Sequence, residues 1–260
     1  MEKRKYVKYN RPSEVSPNVE DMVFGTRSII ESINSGKQID KIFVQKGLNN
    51  ELFSELNGLI VKHHLSVSKV PIEKLNRITR KNHQGVIAYI SPITYVPLHS
   101  VVASCYENGR TPLILVLDRI TDVRNFGAIC RTAECTGVNA VVIPAKGGAL
   151  INSDALKTSV GALNYLSVCK EDDLLQTIGY LKDSGFQVIS CTEKTDKVIF
   201  DLEYNIPTAI IMGSEENGIA KELIEASDIS AKIPLYGKID PLNVSVATAV
   251  ILYECTRQRL

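Results

Sequence analysis

Three short segments carry residues whose types and spacing could do chemistry. The first, DRITDVRNFGAICRTA (118–133), follows an apolar strand run and opens a helix, with Asn125 read as its N-cap and Arg131 near its middle. Gly127 in the first turn costs helix stability relative to Ala. That cost makes sense where another backbone or a ligand must come close, so Asn125, Gly127 and Arg131 could line one edge of a site. The second, IIMGSEENGI (210–219), is a buried strand that ends in a turn with two adjacent carboxylates, Glu215 and Glu216. The third, IPLYGKIDPLNVSVA (233–247), runs through a glycine loop into a helix whose first turn holds Asn243 and Ser245. All three lie at or just after strand ends, where open α/β sheets collect their ligands. Taken singly, each also reads as ordinary structure: a capped helix with a surface arginine, a polar loop, and an N-capped terminal helix.

Other chemistries lack their residues. Gly213 and Gly218 have a P-loop-like spacing, but Ile219-Ala220 replaces the Lys-Ser/Thr, and the two Glu between the glycines would repel phosphate. No G-x-G-x-x-G follows a strand, and H-E-x-x-H and G-x-S-x-G are missing. The six cysteines form no C-x-x-C pair and all four histidines lie in the first 99 residues, so a metal site has no support. Several cysteines sit in apolar runs, where a reduced Cys acts as a small hydrophobe.

The elements that must position these segments alternate. After a polar tail (1–20), residues 22–36 read as an amphipathic helix, 39–45 as a strand, 50–64 as a helix, 65–71 as a strand, 72–79 as a short helix and 85–90 as a strand. That predicts a compact α/β domain over 21–92. Residues 93–111, with Pro97, Asn108 and Gly109, read as a linker with a short apolar helix inside it. The domain over 112–260 has strand candidates at 113–118, 139–144, 165–170, 186–192, 208–213 and 229–235. Helix candidates lie at 126–136, 153–159, 173–184, 217–226 and 243–257. The near-continuous Val/Ile/Leu runs predict a mostly parallel sheet covered on both faces.

Composition agrees with a globular chain. Of 260 residues 44% are hydrophobic and 23% charged, which excludes a disordered or collagen-like chain. No apolar run reaches the length of a membrane span. The basic start lacks the apolar core of a signal peptide, so the expected location is cytoplasmic. The net charge of +1 hides an asymmetry: residues 1–95 carry 15 Lys+Arg against 9 Asp+Glu, and residues 96–260 carry 15 against 20. A basic first third is an electrostatic handle for a polyanion.

In conjunction and in order, NFGAICRTA, IIMGSEENGI and IPLYGKIDPLNVSVATA resemble the three signature motifs of the SpoU/TrmH family of RNA ribose 2′-O-methyltransferases, within the SPOUT superfamily. The first domain, from VFGTRSIIESI to the closing His83-Gln84-Gly85-Val86, resembles that family's L30e-like substrate-binding domain. The resemblance spans nearly the whole chain beyond the tail. It implies an α/β fold whose C-terminal segment threads a trefoil knot. It implies S-adenosylmethionine as cofactor, with Gly213, Ile233 and Leu242 at the contact positions. It also implies a homodimer acting on RNA, without membrane or metal. By position, Arg131 would grip the target phosphate and ribose, Asn125 and Ser245 would orient substrate and Arg131, Glu215 would order the loop, and Asn243 would cap the helix. Two-domain members of this kind act on a guanosine of large-subunit ribosomal RNA, which makes ribosomal RNA the expected substrate and transfer RNA the nearest alternative. A non-catalytic RNA-binding or ribosome-assembly factor of the same fold is the reading from another class; the intact Asn125, Arg131, Glu215 and Asn243 count against it. One position departs from the family pattern: Pro241 stands where a Ser usually precedes Leu-Asn-Val-Ser. Proline fixes φ and removes an N–H there.

Overall fold

The computed structural model describes residues 22–238 and 242–260. The tail reading and Pro241 lie outside them. The first unit is a four-stranded mixed sheet, ordered β1 (Met22–Phe24), β4 (Val86–Ile90), β2 (Ile39–Gln45), β3 (Val67–Val70). Strands β1 and β2 run antiparallel to β4, and β3 runs parallel to β2. Helices α1 (Thr26–Asn34) and α2 (Glu51–Lys62) cover one face, burying Ile29, Ile33, Leu56 and Ile60 on Ile42, Val44, Val86 and Ala88. On the other face α3 (Ile72–Ile78) buries Leu75 against Val70, Ile87 and Tyr89. The sequence reading of 22–36 as one helix is corrected here. Gly25, at φ 88°, breaks the segment, and Met22–Phe24 pairs with β4 as an edge strand.

The second unit is a six-stranded, all-parallel sheet in the order β10 (Ile229–Ala231), β8 (Gln187–Cys191), β9 (Thr208–Gly213), β5 (Leu113–Asp118), β6 (Ala140–Pro144), β7 (Ser167–Glu171). Every residue of β5 is buried. Its pleat sends Leu113, Leu115 and Leu117 to α5 (Val123–Cys135), α6 (Ser153–Thr158) and α9 (Val244–Arg259). Ile114 and Val116 face α4 (Leu98–Glu107), α7 (Leu174–Asp183) and α8 (Lys221–Ala226). The apolar helix read within 93–111 is α4, and its Leu98 and Val102 belong to that second core. Three boundaries differ from the sequence reading. Helix α5 starts three residues early, because Asp122, not Asn125, caps it by accepting from the N–H groups of Arg124 and Asn125. Helix α8 is only six residues long, since 217–220 belongs to the preceding turn. Strand β10 keeps only three residues of 229–235.

From β5 the chain moves outward through β6 to β7, then returns on the opposite side of β5 through β8 and β9. The strand order therefore reverses between β5 and β9, and a crevice opens beyond their carboxyl ends. Asp118 and Gly213 are register partners at the last rung.

A buried ion pair joins the two units. The β2 ladder is irregular at Asp40, between Ile39 and Lys41, a device that re-aims a side chain. The Asp40 carboxylate, 5% exposed, meets the ammonium of Lys170 on β7 and accepts from Tyr95 Oη at 2.8 Å. Burial and the Asp40 charge push the Tyr95 phenol up from its ordinary value, which keeps it a donor. Replacing Asp40 by Ala strands a cation that is mostly shielded from water. We expect a loss of about 3 kcal/mol, read as a lower urea midpoint; an unchanged midpoint contradicts the pair's role.

Candidate active site

The turn after β9 is built from its glycines and held by β5. Gly218 N–H donates to Ser214 O at 2.8 Å, and Asn217 N–H to Ser214 Oγ at 3.2 Å. Asp118, 4% exposed, accepts from Ala220 N–H at 2.7 Å. Arg119, at φ 55°, folds back on Asp118 and donates to Gly218 O at 3.3 Å. This Asp-Arg clamp was not singled out from sequence. Its one visible signal was an acidic residue closing a wholly apolar strand. Gly213 lies beneath the turn: a Cβ there would stand 2.1 Å from the Gly218 carbonyl carbon and 2.3 Å from Ile219 N. Gly127 has a comparable reason, because its Cβ would meet Thr158 Cβ at 2.7 Å, so α6 packs directly on the α5 backbone.

Four of the sequence-predicted residues meet on this turn. Asn125 Nδ2 donates to Glu215 Oε1 at 3.1 Å. Asn243 Nδ2 donates to Asn125 Oδ1 at 3.1 Å and also to Glu215 Oε1. Val244 N–H donates to the same Glu215 oxygen at 3.2 Å, so the carboxylate sits on the N-terminus of α9, where the helix dipole favours a negative charge. Asn243 caps α9, its Oδ1 accepting from Ser245 N–H at 3.0 Å and from Ser245 Oγ. Because Asp122 does the capping of α5, the Asn125 amide is free for this network.

Two cavities flank the turn. One, of about 300 Å³, is lined by Gly213, Ile219, Ile233, Leu235, Leu242 and Ala247 together with Cys191–Lys194. It contains all three positions expected to touch a cofactor. Burial, reinforced by the neighbouring Glu193 charge, pushes the Cys191 thiol up to about 12. At neutral pH it is a neutral wall, not a nucleophile. The other cavity, of about 1330 Å³, is lined by Arg119, Arg124, Asn125, Asn152, Lys157 and Thr158 among others. Ser214, Glu215, Glu216, Asn217 and Val244 border both. Leu150 on the wall of the larger cavity packs against the α3 face of the first unit.

Arg131 stands apart from this network. It is exposed on α5 and lines neither cavity. It lies seven residues beyond Arg124, about 10 Å along the same helix face. Beside it the exposed Val246 and Tyr253 of α9 form an apolar strip, and Val160 and Tyr165 are also exposed. Among the described residues no cluster of His, Cys, Asp and Glu could hold a metal ion, and no helix is long and apolar enough to cross a membrane.

The chain was compared with known proteins. Residues 112–253 match the SpoU rRNA Methylase family, and residues 22–96 match the RNA 2′-O ribose methyltransferase substrate-binding family. A protein assigned to the TrmH family of tRNA/rRNA methyltransferases in Staphylococcus saprophyticus is 31% identical over 240 residues, covering 92% of this chain and 96% of that protein. Among solved structures, the SpoU methyltransferase AviRb of Streptomyces viridochromogenes, in complex with AdoMet, has a TM-score of 0.58 at 20% identity and covers 92% of this chain and 90% of its own. The A. aeolicus TrmH/SpoU tRNA modifying enzyme is 31% identical, covers 61% of this chain and 84% of its own, and has a TM-score of 0.53. The three motifs, the parallel sheet that brings them together and the matched substrate-binding domain establish that this chain belongs to the SpoU/TrmH family of RNA ribose 2′-O-methyltransferases.

Proposed function

We propose that the chain binds S-adenosylmethionine in the smaller cavity and methylates a ribose 2′-hydroxyl, of a guanosine in ribosomal RNA, presented from the larger one. What carries this reading is the convergence of Asn125, Glu215, Asn243 and Ser245, from segments up to 118 residues apart, on the wall the two cavities share. The donor supplies an electrophilic methyl group on a cationic sulfur. Ile233, Leu235, Leu242 and Ile219 offer the apolar slot an adenine ring needs, and the close approach at Gly213 leaves main-chain groups to meet its polar edge. Glu215 orders the turn through the donors gathered on its Oε1, and Asn125, Asn243 and Ser245 orient the ribose. Alignment of donor and acceptor in a dry pocket carries much of the rate.

The C-terminal segment leading into α9 passes through the knot implied by the family. The active species is a homodimer formed on the α9 strip, and Arg131 reaches the partner copy's acceptor ribose and phosphate. Its guanidinium keeps its proton, so it grips rather than deprotonates. The basic first domain holds RNA phosphates. Affinity for structured RNA should fall on the order of tenfold or more between about 50 and about 200 mM salt, for as few as three or four phosphate contacts. A flat salt response contradicts that grip.

The test is to incubate the protein with labelled S-adenosylmethionine and purified ribosomal and transfer RNA, then map ribose methylation. A single guanosine in large-subunit RNA is the expected product; methylation confined to transfer RNA reassigns the substrate.

A further inference from the structure

Someone must take the 2′-hydroxyl proton, and the site narrows the choice. An arginine does not accept it. Among the carboxylates of the larger cavity, Asp122 is occupied by the N–H groups of Arg124 and Asn125. Asp154 lies 4.0 Å from Lys157, and neither residue borders the smaller cavity. Glu215 borders both cavities, but its Oε1 already accepts from Asn125, Asn243 and Val244. Cys191 borders only the smaller cavity and is a neutral thiol. Glu216 borders both cavities, is exposed, and among the described residues has no hydrogen-bond or ion-pair partner. Its backbone is fixed, since the turn around it is closed by Gly218 N–H on Ser214 O and clamped by Asp118 and Arg119.

We infer that Glu216 is the catalytic base, its free carboxylate standing at the border of the two cavities where donor and acceptor meet. This rests on the functional reading above. The hydroxyl proton passes to a Glu216 carboxylate oxygen while the oxygen forms its bond to the methyl carbon. The S–CH₃ bond breaks, and its electron pair stays on sulfur as a neutral thioether. The carboxylic acid then returns its proton to solvent. Glu216 thus differs in role from its neighbour: Glu215 holds the turn, and Glu216 works from it.

The test compares wild type, Glu216→Gln and Glu216→Asp in three measurements. These are S-adenosylmethionine affinity by calorimetry, RNA affinity at fixed salt, and the single-turnover methyl-transfer rate against pH. Both affinities of the Gln variant should stay within a few-fold of wild type. Its rate should fall on the order of 10²- to 10³-fold. The wild-type rate should drop as the carboxylate protonates in acid, whereas the Gln variant should lose that limb and rise with pH as hydroxide replaces the base. The Asp variant should keep the acid limb at reduced rate. A Gln variant with wild-type rate overturns the assignment, as does one whose lost rate is accounted for by lost donor affinity. A wild-type chain that methylates no RNA overturns the functional reading, and this assignment with it.

Discussion

Gly213→Ala should cost at least about a hundredfold in S-adenosylmethionine affinity. A methyl group at this position would lie 2.1 Å from the Gly218 carbonyl carbon and 2.4 Å from its oxygen, both backbone atoms. No side-chain rotation relieves such a contact, so the 218–219 segment must move. That segment is held by Asp118 on Ala220 N–H and Arg119 on Gly218 O, and it carries Ile219 into the smaller cavity. The strain is of the overpacking kind, about 1–3 kcal/mol, and it falls on the donor's floor. Calorimetry with the donor and a thermal melt separate the two effects: affinity should collapse while the variant still unfolds cooperatively. Wild-type donor affinity in this variant would contradict the placement of the donor under the turn.

Arg131→Ala should abolish methyl transfer, a fall on the order of a thousandfold if the guanidinium grips the acceptor in the transition state, while donor affinity stays within a few-fold. Within one chain Arg131 faces away from both cavities, so the account requires it to act on the partner copy. Mixing Arg131→Ala with the equally inactive Asn125→Ala tests this. If sites are shared between copies, mixed dimers hold one intact site and activity returns. No recovery in an assembly shown to exchange subunits, or full activity in Arg131→Ala alone, would remove this role.

Much of the catalytic fold was legible because burial writes itself into β5 and β9. Both faces are covered, so LILVLD and TAIIMG are apolar almost without interruption. The chemistry-bearing segments were legible for a related reason, since each follows such a strand or leads into a capped helix. The errors have local causes. Met22–Phe24 continues the apolar spacing of α1, and only its pairing with β4 makes it a strand. Asp122 and Asn125 are both residues that cap helices. Asp122 takes the role, which moves Asn125 inside the first turn and aims its amide at Glu215. Residues 217–220 were read as the start of α8, but Asp118 holds Ala220 from 102 residues away. No local pattern encodes that contact. The Asp40–Lys170 pair, 130 residues apart in sequence, was invisible for the same reason.

The most direct measurement is a crystal structure of the protein grown with S-adenosylmethionine. The account predicts the adenine between Ile233, Leu235 and Leu242, the donor over Gly213, and the methyl group directed past Glu216 toward Asn125 and the larger cavity. A donor bound elsewhere, or no donor density along residues 211–245 at saturating concentration, would contradict it.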